Sequence, residues 1–247
     1  MTASSSARAA LATLPTTFLD PGSVTFVDGD ANWPAELERV LRSRPRGILL
    51  VHPAPVDFKI VDNLPPVVVD SPWAKNPAIN NAFKRSTSRI ECRVLAHPDA
   101  DLATELLHQV MLIRAAVAPM TTLDVQHVSD HALYATGRTE AEVTVDLSIV
   151  RTSGLPASAT LRQLTPDGSV ELVLPSSETA RPARLTTVGP DGAVLEPTQY
   201  ESAHRASLRE LHATGPAEAL AELRRLQADV ALTTAALGDH PAVQAPA

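Results

Sequence analysis

Gly47-Ile48-Leu49-Leu50-Val51-His52-Pro53 and Pro66-Val67-Val68-Val69-Asp70-Ser71-Pro72 are the stretches that decide the fold. Each holds an unbroken apolar run of strand length, and prolines at Pro53 and Pro72 stop the runs. A strand that is apolar on both sides needs cover on both faces, which is the situation of parallel strands between helices. Upstream, Ser23-Val24-Thr25-Phe26-Val27 is another β-prone run, closed by Asp28-Gly29-Asp30. After it Asn32 is placed to cap a helix with apolar positions at Leu37, Val40 and Leu41.

Downstream the period changes twice. From Ala100 to Val117 apolar residues recur at helical spacing (Leu102, Leu106, Leu107, Val110, Met111, Ile113), with Asp99 or Asp101 as cap and an end near Pro119. Val125, Val128, Val143, Val145, Leu147 and Ile149 then sit among polar residues in a period of two, the mark of antiparallel strands with one covered face. Thr165-Pro166-Asp167-Gly168 and Gly189-Pro190-Asp191-Gly192 carry the fixed and positive φ values that tight turns need, so two hairpins follow. Helices over Tyr200 to His212 and Pro216 to Leu237 close the chain, and the residues after Gly238 read as a loose end.

The 247 residues are 44% hydrophobic but only 3% aromatic, so the core is built from Ala, Val, Leu and Ile. The formal net charge of −7, with no basic stripe, removes the footprint that nucleic-acid binding needs. Cys92 is the only cysteine, which rules out an internal disulfide and a cysteine-based zinc cluster; it reads as a small buried thiol. Met1 to Ser6 reads as a disordered end, and Met1 to Leu19 lacks the pattern of a secretory signal. No stretch approaches the roughly 18 apolar residues of a membrane span. The expectation is a cytoplasmic protein without membrane or nucleic-acid partners.

The element order from about Arg46 to Leu237 resembles the Gfo/Idh/MocA-type oxidoreductases from their middle to their C-terminus. Pro66 to Pro72 stands where that family has a Glu-Lys-Pro turn, and Gly215-Pro216-Ala217-Glu218-Ala219-Leu220 through Ala231-Leu232 resembles its last helix. The resemblance implies an α+β fold: a remnant of a Rossmann-like α/β domain over residues 1–80, then a large, mostly antiparallel, open-faced sheet flanked by helices over 81–238, and a tail over 239–247. The departures matter as much. A Rossmann site needs glycines after its first strand so that backbone can approach a pyrophosphate, and the sequence has no Gly-x-Gly-x-x-Gly. The residues before Gly47 are too few for the family's opening βαβ unit, so the expectation is a truncated chain with no bound cofactor. The family's nicotinamide-contacting lysine aligns with Ser71. If His108 matches the family's helix histidine, the accompanying acids and glycine fall on Thr104, Met111 and Leu106.

Several residues carry candidate chemistry. His108 and Glu105, three apart on one helix, are candidate catalytic residues, with His108 as general acid/base and Glu105 fixing its tautomer; the alternative is a packed relic. Tyr134 and Arg138 are further candidates for the same cleft. His52, Asp70, Ser71 and Trp73 lie at the C-terminal ends of two parallel strands, where open α/β sheets place ligands, and make a candidate substrate pocket. Pro53 and Pro72 merely ending strands, with Trp73 covering the core, is the competing reading. Lys75, Lys84 and Arg85 are candidates to meet a carboxylate. His127 and His131, with His97 and Asp99, raise a metal site, but a strand would hold the first two about 13 Å apart, so they read as surface residues and no metal is expected.

The leading expectation is an oxidoreductase-like pseudoenzyme without the usual NAD(P) site, acting as a homodimer or as the partner of a full-length homologue through the open sheet face. The alternatives are a cofactor-independent isomerase, dehydratase or cyclase with His108 as base, and a divergent NAD(P)-dependent oxidoreductase.

Overall fold

The computed structural model describes residues 3–14, 24–61, 63–82, 88–176, 179 and 181–238. The apolar runs form the expected parallel strands: β1 (Val24–Asp28), β2 (Gly47–Val51) and β3 (Val67–Asp70) pair in the order β1-β2-β3. Every residue of β2 and β3 is buried. The cause is cover on both faces, because successive side chains point to opposite sides of a strand. Leu49, Val51 and Val68 pack with Leu11, Leu208 and Leu211 from α1 (Ala3–Ala12) and α5 (Ala203–Ala213). Ile48, Leu50, Val67 and Val69 pack with Leu37 and Val40 of α2 (Trp33–Arg42) and with Leu223, Leu226 and Val230 of α6 (Pro216–Gly238).

Two expectations at this end need correction. Ala3 to Ser6 belong to helix α1 rather than to a disordered end, since Ala7 and Leu11 dock it on the sheet; Met1 and Thr2 lie outside the described residues. Asn32 stands at the cap position of α2 but makes no side-chain cap bond, and the helix starts instead on Pro34 in its first turn.

The second sheet has eight strands in the order β11-β10-β9-β8-β4-β7-β6-β5. β4 (Arg89–Ala96) lies inside it, parallel to β7 (Thr144–Arg151) and antiparallel to β8 (Ser158–Thr165). The remaining strands, β5 (Met120–Val128), β6 (Ala132–Thr139), β9 (Gly168–Pro175), β10 (Arg184–Gly189) and β11 (Gly192–Leu195), pair antiparallel, and both expected hairpins are present. The sequence reading passes over β4, although Ile90, Cys92 and Val94 alternate inward with Arg89, Glu91 and Arg93 outward. The outward face also carries Tyr134 and Arg162 and is laced by the ion pairs Arg89–Asp146 and Arg162–Glu91.

A short helix α3 (Ile79–Ala82) precedes β4, and α4 (Leu102–Ala116) follows it. Of the two acids offered as caps, Asp101 is the one used: its Oδ2 accepts from the Thr104 amide at 2.9 Å. The helix is apolar nearly all round because it serves two cores. Leu106, Val110, Leu112 and Ile113 enter the core of the large sheet, while Leu107 and Met111 enter that of the parallel sheet. The Gln109 amide fixes its rotation by donating to the carbonyls of Cys92 (3.1 Å) and Ser148 (3.0 Å). None of the described helices is long and apolar enough to cross a membrane.

Because α4 is common to both cores, Leu107→Ala is expected to destabilise the whole chain by about 2–5 kcal/mol. Urea denaturation followed by circular dichroism and by tryptophan fluorescence should show one coincident transition moved to lower urea.

Candidate functional site

The ends of β2 and β3 lie side by side, Val51 opposite Asp70, and the His52 amide donates to the Asp70 carbonyl at 2.9 Å. The turn after β1 closes over them: the Gly29 amide donates to the Val51 carbonyl at 2.8 Å and the Gly29 carbonyl accepts from the Ala54 amide at 2.6 Å. A Cβ on Gly29 would stand 2.3 Å from the His52 carbonyl oxygen, so only glycine permits the approach. Just there the chain takes the left-handed region at His52, with φ of 51°, a strained conformation for a residue with a Cβ.

Asp70 has no exposed surface. Its Oδ2 accepts from His204 Nδ1 at 2.5 Å and its Oδ1 from Ser207 Oγ at 2.7 Å. His204 and Ser207 are one turn apart near the start of α5, where Ser202 is the N-cap. Burial by itself pushes the Asp70 carboxyl up; the hydrogen bond and charge of His204, the charge of His52 and the Ser207 hydroxyl together outweigh it and hold the group below the usual carboxylate range. The His52 ring stacks on that of His204 with centroids 5.4 Å apart and meets that of His108 edge-on at 5.6 Å. The ligand-capable atoms of His52, Asp70 and His204 all lie within 4.8 Å of one another.

His108 is thus in the cluster, but not as expected. Burial, helped by the charge of His52, drives it down to about 3, with the Pro53 carbonyl and Asp70 pulling weakly the other way. It is neutral at ordinary pH and a feeble base. Neither of its ring nitrogens makes a hydrogen bond of ordinary geometry, so Glu105 does not orient it. The two side chains leave α4 toward different cores, His108 toward His52 and Glu105 toward Trp73. Burial pushes Glu105 up to about 7, with the Trp73 indole lowering it and Asp101 raising it.

Of the expected pocket residues, Asp70, Ser71 and Trp73 are buried behind the surface, and His52 is half-buried. The neighbouring cleft, about 680 Å³, is lined by Pro72, Asn76, Arg181, Tyr200, His204 and Arg205 among others. Ser71 closes a turn by accepting from the Ala74 amide at 3.3 Å. Lys75 is taken up by Glu210 (2.8 Å) and Glu222 (3.2 Å), and Lys84 and Arg85 lie outside the described residues. Tyr134 belongs to the open sheet face beside His127, and Arg138 pairs with Glu142. His97 pairs with Asp99 at the surface; with His127 and His131 they form no cluster among the described residues. His204 and Ser207 were not singled out from the sequence. Their signal is there: polar residues three apart on the helix face that also carries Ala203, Leu208 and Leu211.

Glu105 supplies a pH test. Its folded value, about 7, stands above the usual glutamate value of about 4.3, so its contribution to stability is full below that lower pH and is lost as pH rises through 7. Glu105→Gln is therefore expected to melt with the wild type at pH 4 and a few degrees above it at pH 8, as read by calorimetry.

No protein-family model matches the sequence, and no curated protein matches it. Solved structures do. KijD10, a 3-ketoreductase from Actinomadura kijaniata in complex with NADP, is similar with a TM-score of 0.62 at 12% identity over 88% of this chain and 77% of that one. A UDP-N-acetylglucosamine 3-dehydrogenase, GnnA from Acidithiobacillus ferrooxidans, gives 0.55 at 14% identity over 87% and 89%. A putative oxidoreductase from Thermotoga maritima gives 0.54 at 12% identity over 92% and 94%. At such identities the likeness is one of fold, which this chain shares with these oxidoreductases.

Proposed function

We propose that this chain is an enzyme of oxidoreductase fold that does not hold NAD(P) in the usual way and instead carries out proton transfer on a small molecule bound in the cleft. Isomerisation, dehydration or cyclisation are the reactions that need no more than this. His204 is the acid/base, Asp70 and Ser207 are the positioning residues behind it, and Pro72, Asn76 and Arg205 border the space for the substrate. The observation that carries the reading is the wholly buried Asp70 carboxylate, kept ionised and hydrogen-bonded to a buried histidine in the wall of the cleft. A carboxylate accepts only, so it fixes the proton on His204 Nδ1 and stabilises the imidazolium that forms when the ring takes up a second proton. The base expected from the sequence, His108, is too weak for this part.

Two features support the departure from NAD(P) chemistry. Gly29, in the turn after β1, is pressed on the His52–Pro53 backbone and so cannot offer its open side to a pyrophosphate. Ser71, buried and turned into its own loop, brings no positive charge where the resemblance would put a lysine. A second reading, a homodimer or a partner subunit of a complete oxidoreductase, is favoured by the exposed outward face of the eight-stranded sheet, where Tyr134 stands 46% exposed between charged neighbours.

The test is conversion of a metabolite extract by the purified protein in deuterated buffer with no NAD(P), followed by mass spectrometry. A compound that takes up solvent deuterium or loses water is expected, with the rate down about 10²-fold or more in His204→Gln. Undiminished conversion by His204→Gln, or saturable NAD(P)H binding by calorimetry, would contradict the proposal.

A further inference from the structure

Three observations meet at the ends of β2 and β3 that proton transfer by His204 does not account for. Asp70 is ringed by imidazoles, and one ligand-capable atom from each of His52, Asp70 and His204 lies within 4.8 Å of the others. These groups are held by separate rigid elements: two adjacent hydrogen-bonded strand ends and the first turn of a capped helix. His108 stands beside them, 2% exposed, with neither ring nitrogen in a hydrogen bond of ordinary geometry. A buried polar group in that condition calls for an explanation, an ion or a water among them.

We propose that His52, Asp70 and His204 bind a divalent transition metal ion of the zinc type, a proposal that rests on the reading of this cluster as the reaction centre. Two imidazoles and one carboxylate are a donor set that zinc and its first-row neighbours take, whereas magnesium and calcium ask for oxygen ligands. Three protein ligands leave a coordination position open, and the buried His204 stands in the wall between that position and the cleft. Ser207 behaves as an outer-sphere residue: by holding Oδ1 of Asp70 it leaves Oδ2 turned to the histidines. In the metal-free protein the proton between Oδ2 and His204 Nδ1, 2.5 Å apart, does the work of the cation, so His204 is an acid/base in that form and a ligand when the ion is bound. An ion in its place, with ligands at 2.0–2.2 Å, asks the two atoms to separate by roughly 0.5–1 Å. The left-handed backbone at His52, allowed by the missing side chain of Gly29, is the local cost of bringing that imidazole over the carboxylate.

Untagged protein stripped with a chelator is titrated with zinc chloride in a calorimeter and with cobalt chloride in an absorption cell. One equivalent of each is expected, the cobalt form showing visible bands of a four- or five-coordinate site. His52→Asn should weaken zinc at least about tenfold, while His131→Asn, which alters an exposed histidine elsewhere, should change nothing. No stoichiometric binding by the wild type, or equal affinity in His52→Asn, overturns the metal site, and the wild-type titrations decide the matter even if a variant fails to fold. The two proposals fail separately. Conversion that depends on His204 in protein that takes up no metal removes the ion and keeps the reaction centre. Stoichiometric zinc binding with conversion unchanged in His204→Gln removes the reaction centre and keeps the ion.

Discussion

Asp70 keeps its charge where water does not reach, and the residues that make this tolerable are drawn from across the chain. An ionised carboxyl group placed in a protein interior without partners would take up a proton instead. Here His204 and Ser207 come from a helix 134 and 137 residues further on, and His52 comes from the neighbouring strand. The register of β2 on β3, the docking of α5 on the sheet and the reversal of the chain at His52 all have to be right for that one carboxylate to be satisfied. The polar cluster therefore specifies the arrangement of the parallel layer more narrowly than its apolar packing does.

The helices around the site are tied together in a similar way. Lys75, in the loop after β3, bridges Glu210 of α5 and Glu222 of α6, while Arg114 of α4 holds Asp229 of α6 at 2.7 Å. Burial raises Glu222, but the charges of Lys75, Arg114 and Arg225 more than cancel it, so the group lies below the usual range. Asp229 is pushed up to about 6 by burial in spite of Arg114. With α4 shared by both cores, these ion pairs join the loop after β3, which carries Ser71 and Pro72, to α5 and α6.

The sequence is legible where one local rule decides the outcome. Gly47–Val51 and Val67-Val68-Val69 read as covered strands because each is an unbroken apolar run, and the ligand edge follows from where they end. A cap at Asp99 or Asp101 is legible, and the Pro-Asp-Gly turns are legible as hairpins. β4 was equally open to reading, since its alternation is strict. The site is less legible because it is made by tertiary contact. Spacing on α4 joins Glu105 to His108, yet a helix between two cores sends neighbouring side chains to different places. Nothing local says that His204 will meet Asp70; a polar pair on the apolar face of α5 says only that some buried partner exists.

The most direct measurement is the titration of the Asp70 carboxyl carbon by nuclear magnetic resonance in metal-free protein labelled with carbon-13 at aspartate. The expected midpoint lies below the ordinary aspartate value of about 3.9, with the His204 Nδ1 proton seen in a hydrogen bond above it. A midpoint above that value would mean that the buried carboxyl is protonated before an ordinary one, and that neither the histidine anchor nor the reaction centre built on it exists.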